Sequence, residues 1–367
     1  MKGRILWRLA VLACGCLAAG VHAYETVPPV DVAAPVLDLG PHAQVFIDDS
    51  HGLTAEGLLA SLPARPDRRG EGTTSLGVTE AAVWFVVPLV NRSGAPQTRI
   101  LALDPCWLDD VRATVAGPDG RLVERRGGML FPFGARAVPH RKINLELTLE
   151  PGPGTLLVRV QNRGPFAVGL GLWERTAFVS ANGGDSSLAP VIFGVLGAML
   201  LFNLVLWRSV RDKVYAAYVL YLLAFMLVYA SYNGYLFQYG WPTHPHFANW
   251  FNAASIYCFA AAGIHFALNF LDLRARLPWL HRLGLAAIPL IFITLLIASL
   301  ANGFEWSDGG LLWVLAGALF SLGAGLFTLV TGNRAARYFV PATMLGFMGS
   351  LVSALASSGY VPFNFYT

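Results

Sequence analysis

The sequence predicts an extracytoplasmic all-β sandwich of jelly-roll type followed by an α-helical transmembrane bundle. Three observations predict it. Of 367 residues, 55% are apolar and only 13% charged, against about a quarter charged in an ordinary soluble domain. Residues 24–186 contain short runs with period-two alternation, bounded by turn residues. From residue 187 onward the chain is a series of apolar runs long enough to cross a bilayer. This composition excludes disordered, collagen-like and disulfide-scaffold chains and fits an ordinary cytosolic enzyme poorly. The net charge of +4 divides into +3 for residues 1–23, −3 for residues 24–186 (15 Lys/Arg, 18 Asp/Glu) and +4 for residues 187–367 (8 against 4). No basic surface for nucleic acid follows from it.

In chain order, the first segment carries Lys2, Arg4 and Arg8, an apolar run from Leu9 to Gly20, and Val21-His22-Ala23. That is the layout of a secretory signal peptide (1–23) cut after Ala23; the alternatives are an uncleaved anchor and lipidation at Cys14 or Cys16. Two cysteines remain, Cys106 and Cys258. They fall on opposite sides of the division between sandwich and bundle, so both are expected to pack as free thiols rather than pair.

Residues 24–181 are expected to form the sandwich. Tyr24–Arg69 reads as a lead-in strand, a short helix near Leu53–Ser61, and loop. Strands are expected at Ala82–Val90, Arg99–Leu103, Val111–Ala116, Ile143–Leu149 and Thr155–Gln161. Gly117-Pro118-Asp119-Gly120 and Pro151-Gly152-Pro153-Gly154 supply turns. Ile143, Leu145 and Leu147 share one face, as do Leu156, Val158 and Val160. Trp84 lies in an alternating strand and reads as core. Residues 182–187 read as a flexible joint; Gly183-Gly184-Asp185-Ser186 belongs to it.

Six spans follow within 188–358: Leu188–Trp207, Val214–Tyr232, Trp250–Leu271, Leu283–Ala301, Leu311–Thr331 and Phe339–Ser357. Each has about the 20 residues that 30 Å of hydrocarbon requires. Arg208, Arg211 and Lys213 lie between the first pair, Arg274, Arg276 and Arg282 between the third and fourth, and Arg334 and Arg337 between the fifth and sixth. The other connections, 231–249 and 302–310, and the tail 358–367 hold no Lys or Arg. The positive-inside rule then places the cationic loops in the cytoplasm and the sandwich outside. Six crossings from outside end outside, so 359–367 reads as an extracytoplasmic loop before a missing seventh span. Gly317, Ser321 and Gly325, and Gly346, Ser350 and Ala354, are rows of small residues suited to close helix packing in lipid. His265 is the ionisable residue inside a span and a functional candidate on that ground; hydrogen bonding between helices is the plainer reading.

The order of aromatic and glycine landmarks across both halves resembles a known family. Ala82-Val83-Trp84-Phe85 leads to Asn91-Arg92-Ser93, followed by Leu101 to Leu108 with Asp109-Asp110-Val111, and Gly127-Gly128 to Phe131-Pro132-Phe133 with Arg136. Pro153 to Pro165 continues the pattern. In the membrane half come Leu201-Phe202-Asn203, Arg211-Asp212-Lys213-Val214-Tyr215, Gly234-Tyr235 with Gln238-Tyr239 and Trp241-Pro242, Phe270-Leu271-Asp272-Leu273, and Gly359-Tyr360-Val361-Pro362. The chain is similar in this to the bacterial seven-transmembrane receptors with diverse intracellular signalling modules, over roughly residues 35–367. The resemblance implies a sensor like a carbohydrate-binding jelly roll, a seventh span, and a cytoplasmic output such as a diguanylate cyclase or histidine kinase.

On that reading the chain is a bacterial inner-membrane receptor for a small, carbohydrate-like periplasmic ligand. Its expected partners are that ligand, the lipid bilayer, a cytoplasmic output domain or partner chain, and a second copy of itself; nucleic acid and cofactors are not expected. Arg136 and Arg141, which flank Pro139-His140, could hold an anion or a hydroxyl pair. Trp107 and Trp173 offer aromatic faces, and these four are the ligand-binding candidates. His244 and His246 are two of the three or four ligands a metal needs. The nearby stretch offers no Asp, Glu or Cys to complete the set, so metal and catalytic residues are not expected. The rival readings are a transporter or membrane enzyme with an outside β-domain, for which His265, Asn203 and Asn269 would be the polar groups, and a sensor that signals through a separate chain.

Overall fold

The computed structural model describes residues 27–62, 66–182, 189–302 and 308–357. The proposed export signal, residues 183–187 of the joint and the stretch 359–367 lie outside them. Two antiparallel sheets form a sandwich. Its strands are β1 (Val30–Asp31), β2 (Val36–Asp38), β3 (Gln44–Asp48), β4 (Arg68–Arg69), β5 (Thr73–Val78), β6 (Ala82–Asn91), β7 (Gln97–Asp104), β8 (Asp110–Ala116), β9 (Leu122–Gly127), β10 (Ile143–Leu149), β11 (Gly152–Gln161) and β12 (Pro165–Trp173). The seven-stranded sheet runs β4-β3-β6-β11-β8-β9, and β1 lies parallel along the end of β6 that β3 leaves free. The five-stranded sheet runs β10-β7-β12-β2, with β5 also on β12.

Alternation explains the layers. Val83, Phe85, Val87 and Leu89 of β6, Ile143, Leu145 and Leu147 of β10, and Leu156, Val158 and Val160 of β11 all enter one buried cluster between the sheets. Each such side chain contributes about 2 kcal/mol by leaving water. β6 is buried on both faces because α1 (Ala55–Ser61) covers its outer side, where Leu58 packs with Phe46, Trp84, Val86 and Leu157. Thr54 caps α1, its hydroxyl accepting from Gly57 N at 3.1 Å. Trp84 is core, as expected.

The structure departs from the sequence reading in the strands β5, β9 and β12, which that reading did not place, and in one turn. β12, central in its sheet, was not anticipated: Phe166, Val168, Leu170 and Leu172 alternate inward, but Gly169 and Gly171 occupy the opposite face and read as turn residues. The Pro151–Gly154 cluster is a turn only at its start. Gly152 takes φ +108°, yet β11 already begins there, with Pro153 opposite Val90. The other turn holds as read, closed by Gly120 N donating to Gly117 O at 3.1 Å.

A helix α2 (Arg175–Asn182) precedes the joint. Beyond it lie α3 (Ala189–Val210), α4 (Lys213–Tyr232), α5 (Pro245–Phe270), α6 (Pro278–Asn302), α7 (Asp308–Val330) and α8 (Ala336–Ser357). The first five of these membrane helices, α3 to α7, are long and apolar enough to cross a bilayer. The sixth apolar run is also one helix, of 22 residues, with Pro341 inside it. α5 is the hub, packed against α4, α6 and α7, and its alanines 253, 254, 260, 261 and 267 are buried. Gly317 and Gly325 do face neighbours closely: a methyl at Gly317 would stand 3.3 Å from Ile264 and one at Gly325 2.9 Å from Val340. Gly346 in α8, by contrast, has open space where a side chain would be, so that second row does not pack within the described bundle; the Ala354 side chain lies outside the described ones. The cation-bearing turns are tied down at one end of the bundle. Asp212 caps α4 through Val214 N at 2.9 Å, and Asn333 donates to Leu271 O at 3.3 Å, joining the α7–α8 turn to the end of α5.

Candidate functional site at the seam between sandwich and helices

The sandwich is seated on the cation-free end of the bundle, against the α4–α5 connection at 233–244. Two loops of the sandwich reach it. The β7–β8 loop supplies Cys106 and Trp107: the Cys106 thiol donates to Tyr232 O at 3.4 Å, and the Trp107 ring lies 6.1 Å from the Tyr232 ring. The β9–β10 loop supplies Met129, Phe133, Arg136 and Arg141. Met129 N donates to Leu108 O at 2.7 Å, which joins the two loops. Gly128 makes this approach possible, since a side chain there would stand 2.2 Å from Asp109 O.

Phe133 is the central contact. Its backbone N–H donates to Pro242 O at 2.9 Å, and its ring meets Phe237 edge-on at 5.7 Å, a favoured aromatic geometry. Phe133, Met129, Phe237 and Ala248 form a buried cluster flanked by Trp241, and Trp241 in turn packs on Phe247 and Phe251 of α5. Arg136 closes the cluster. Its guanidinium lies over Phe133 at 4.6 Å and Phe237 at 5.4 Å while donating to His140 O at 2.8 Å and to Arg141 O. Burial lowers its pKa to about 10, so it stays charged at neutral pH. Burial also pushes the Cys106 thiol up, against the pull of Arg136 and Arg141, so this cysteine remains a neutral packing group.

Arg141 begins a second line of contacts. It lies over the Tyr235 ring at 5.4 Å; Tyr235 meets Phe193 of α3 edge-on at 5.6 Å, and Phe193 meets Tyr229 of α4 at 5.3 Å. Gly234, at φ +79°, passes beneath Cys106 and Arg141. Trp173 lies aside from the seam and packs edge-on to Phe178 of α2, which also meets His140 at 5.7 Å. Through Phe178, α2 is held on Ile100 and Ala102 of the five-stranded sheet. α8 reaches the same sheet at β5 and β12. The five-stranded sheet therefore faces the helices, and the outer face of the seven-stranded sheet points away.

Two family models match the chain: 7TMR-DISM extracellular 2 over residues 40–174, and 7TM diverse intracellular signalling over residues 187–367. Between them they take in most of the sandwich and all of the helical region. The chain belongs to the 7TMR-DISM receptor family. It is a multi-pass membrane signalling receptor with an extracellular sensor. No curated protein matches it.

Of the four ligand candidates in this 7TMR-DISM receptor, the structure thus brings Arg136, Arg141 and Trp107 together at the seam and leaves Trp173 under α2. The partners they meet, Phe133, Gly234, Tyr235 and Phe237, were not singled out as site residues; the density of aromatics in a connection without Lys or Arg was the available signal. Cys106 packs as expected, whereas Cys258 is exposed on α5. Asn269 of α5 bonds back to its own helix at His265 O, 2.8 Å, with the His265 ring 3.4 Å away, so the hydrogen bond made by His265 stays within one helix. His244 bonds Thr243 at 2.9 Å. Among the described residues no three of His, Cys, Asp or Glu are placed to hold a metal.

Proposed function

We propose that the sandwich binds a small extracytoplasmic solute, of which a carbohydrate is one class, and that the seam converts this into a displacement of the helices. The displacement sets the activity of a cytoplasmic output, a diguanylate cyclase or a histidine kinase, in the inner membrane of a bacterium. The observation that carries the reading is the Phe133 contact, a backbone hydrogen bond and an aromatic edge joining sensor to bundle at one residue. A ligand shifts an equilibrium only by its differential affinity for two states, and such a contact can be made in one state and broken in the other. Arg136, Arg141 and Trp107 act in this scheme as coupling groups, because their rings and guanidinia are engaged with residues 232–237. Coupling does not depend on the 182–187 joint alone.

The test is Phe133→Ala in the full-length receptor, with output read as cyclic di-GMP or as phosphotransfer. Coupling energies of about 1–3 kcal/mol correspond to about 5- to 150-fold. Basal output is expected to change at least about fivefold at unchanged membrane level. Unchanged output would overturn the reading.

A further inference from the structure

Two of the cation-bearing turns meet at the cytoplasmic end of the bundle. Between α5 and α6 the chain makes one short turn of helix, Leu273–Arg276, entered through Asp272 at φ +50°. Leu271 and Leu273 are fully buried, so this turn is held against the helix ends while Arg274 and Arg276 stay exposed. Arg282 is exposed near the start of α6. The α7–α8 turn comes to the same place. The side chain of buried Asn333 donates to Leu271 O at 3.3 Å, and just beyond it Phe339 stacks on Phe270 with ring centroids 5.4 Å apart. Arg334 and Arg337 of that turn thereby join the three arginines of the first around one junction.

Five guanidinia against the one carboxylate of Asp272 give the two connections a net charge of +4. Among the described residues none of the five forms an ion pair; Arg337 lies over the Tyr338 ring at 4.6 Å. The sandwich is built differently, with Arg112, Arg121, Arg126 and Lys142 each beside a carboxylate. Two exposed rings flank the junction, Trp279 at 63% and Tyr338 at 66% exposure. Such amphipathic rings sit at the level of lipid headgroups. Trp279, Leu283, Leu290 and Ile297, four and then seven residues apart, share one face of α6 and are all exposed. An apolar track therefore leads from the cationic junction toward the bilayer centre.

We infer that this junction binds the headgroup of an anionic phospholipid of the cytoplasmic leaflet, with one acyl chain lying along the exposed face of α6. Guanidinium forks match phosphate geometry, and clusters of cations at the cytoplasmic ends of membrane helices select anionic headgroups. The phosphate supplies the counter-ion that neither turn contains. It also bridges two turns that otherwise meet through the Asn333 hydrogen bond and the Phe339 ring, and so fixes the ends of α5 to α8 relative to one another. The inference goes beyond the sensor reading and does not depend on what the sandwich binds.

The test is native mass spectrometry of the purified full-length receptor titrated with phosphatidylglycerol or with phosphatidylcholine of the same acyl chains. Saturable retention of phosphatidylglycerol is expected, at least about tenfold tighter than that of phosphatidylcholine. Each cation near an anionic lipid contributes about fivefold, so the triple variant Arg274→Gln, Arg276→Gln, Arg334→Gln should weaken phosphatidylglycerol retention by about tenfold or more. The three single variants, at about fivefold each, serve if the triple variant does not fold. A second triple variant, Arg208→Gln, Arg211→Gln, Lys213→Gln, removes the same charge from the α3–α4 turn and should leave retention within about threefold of wild type. Equal retention of the two lipids, unchanged retention in the first set of variants, or equal loss in both triple variants overturns the inference. The last of these would mean that the cations act as a diffuse surface charge and not as a site. Any of them would leave the receptor reading standing, because Phe133→Ala tests it without a lipid readout.

Discussion

Gly234 shows how narrowly the seam is set. Its φ of +79° and the 3.2 Å that would separate a methyl there from Cys106 Sγ leave little room for a side chain. Gly234→Ala is expected to cost about 1–2 kcal/mol, read as a lowered unfolding midpoint of the purified receptor, with Cys106→Ala partly restoring it by making space. On the seven-stranded sheet, Asp48 has its pKa lowered. Burial alone would raise it, but hydrogen bonds from the Ser50 hydroxyl and the backbone N–H groups of Leu53, Gly52 and Ser50 outweigh that. A carboxylate whose folded pKa is depressed adds stability above its unfolded pKa and loses it as pH falls through the folded value. Asp48→Asn should therefore destabilise the sensor by about 1–3 kcal/mol at neutral pH, and the difference from wild type should vanish in acid. A denaturant titration at both pH values measures it.

At the scale of elements, legibility followed the range of the contacts. β6 and β10 were readable because alternation is local, and Ile143–Leu149 matches its strand end to end. The membrane helices were readable from length, although α5 begins at Pro245, five residues before the apolar run at Trp250, because its first turn packs on Trp241. β12 was missed because Gly169 and Gly171 weaken the pattern on its outer face, where a Cβ at Gly171 would meet the Trp173 ring. α1 was placed within two residues, and its position over Trp84 depends on its cap. Thr54→Ala should cost about 1 kcal/mol. It should also raise amide exchange at Leu58 and Leu59 ahead of any change in the β6 core, which hydrogen exchange with mass spectrometry would show.

For the molecule as a whole, charge was the informative part of the sequence. Eight cations confined to three turns fix one end of the bundle as cytoplasmic, and the structure seats the sandwich on the other end. What charge and hydropathy could not show is how sandwich and bundle meet. Phe133 and Phe237 lie 104 positions apart in the chain, and no local pattern marks either as a contact. Arg136 and Arg141 were singled out for their chemistry as ligand groups, yet their partners are the aromatic rings of the α4–α5 connection. The sensor thus meets the helices at this seam and also where α8 reaches β5 and β12.

The most direct measurement uses the native Cys106. A cysteine at position 234 would place its β-carbon 3.2 Å from Cys106 Sγ, within reach of a disulfide. With a protease site inserted after Gly184, oxidised Gly234→Cys receptor in native membranes should remain one species after cleavage and separate into sensor and bundle on reduction. Cys106→Ser should separate without reductant. Separation of the oxidised Gly234→Cys protein without reductant would contradict the seam.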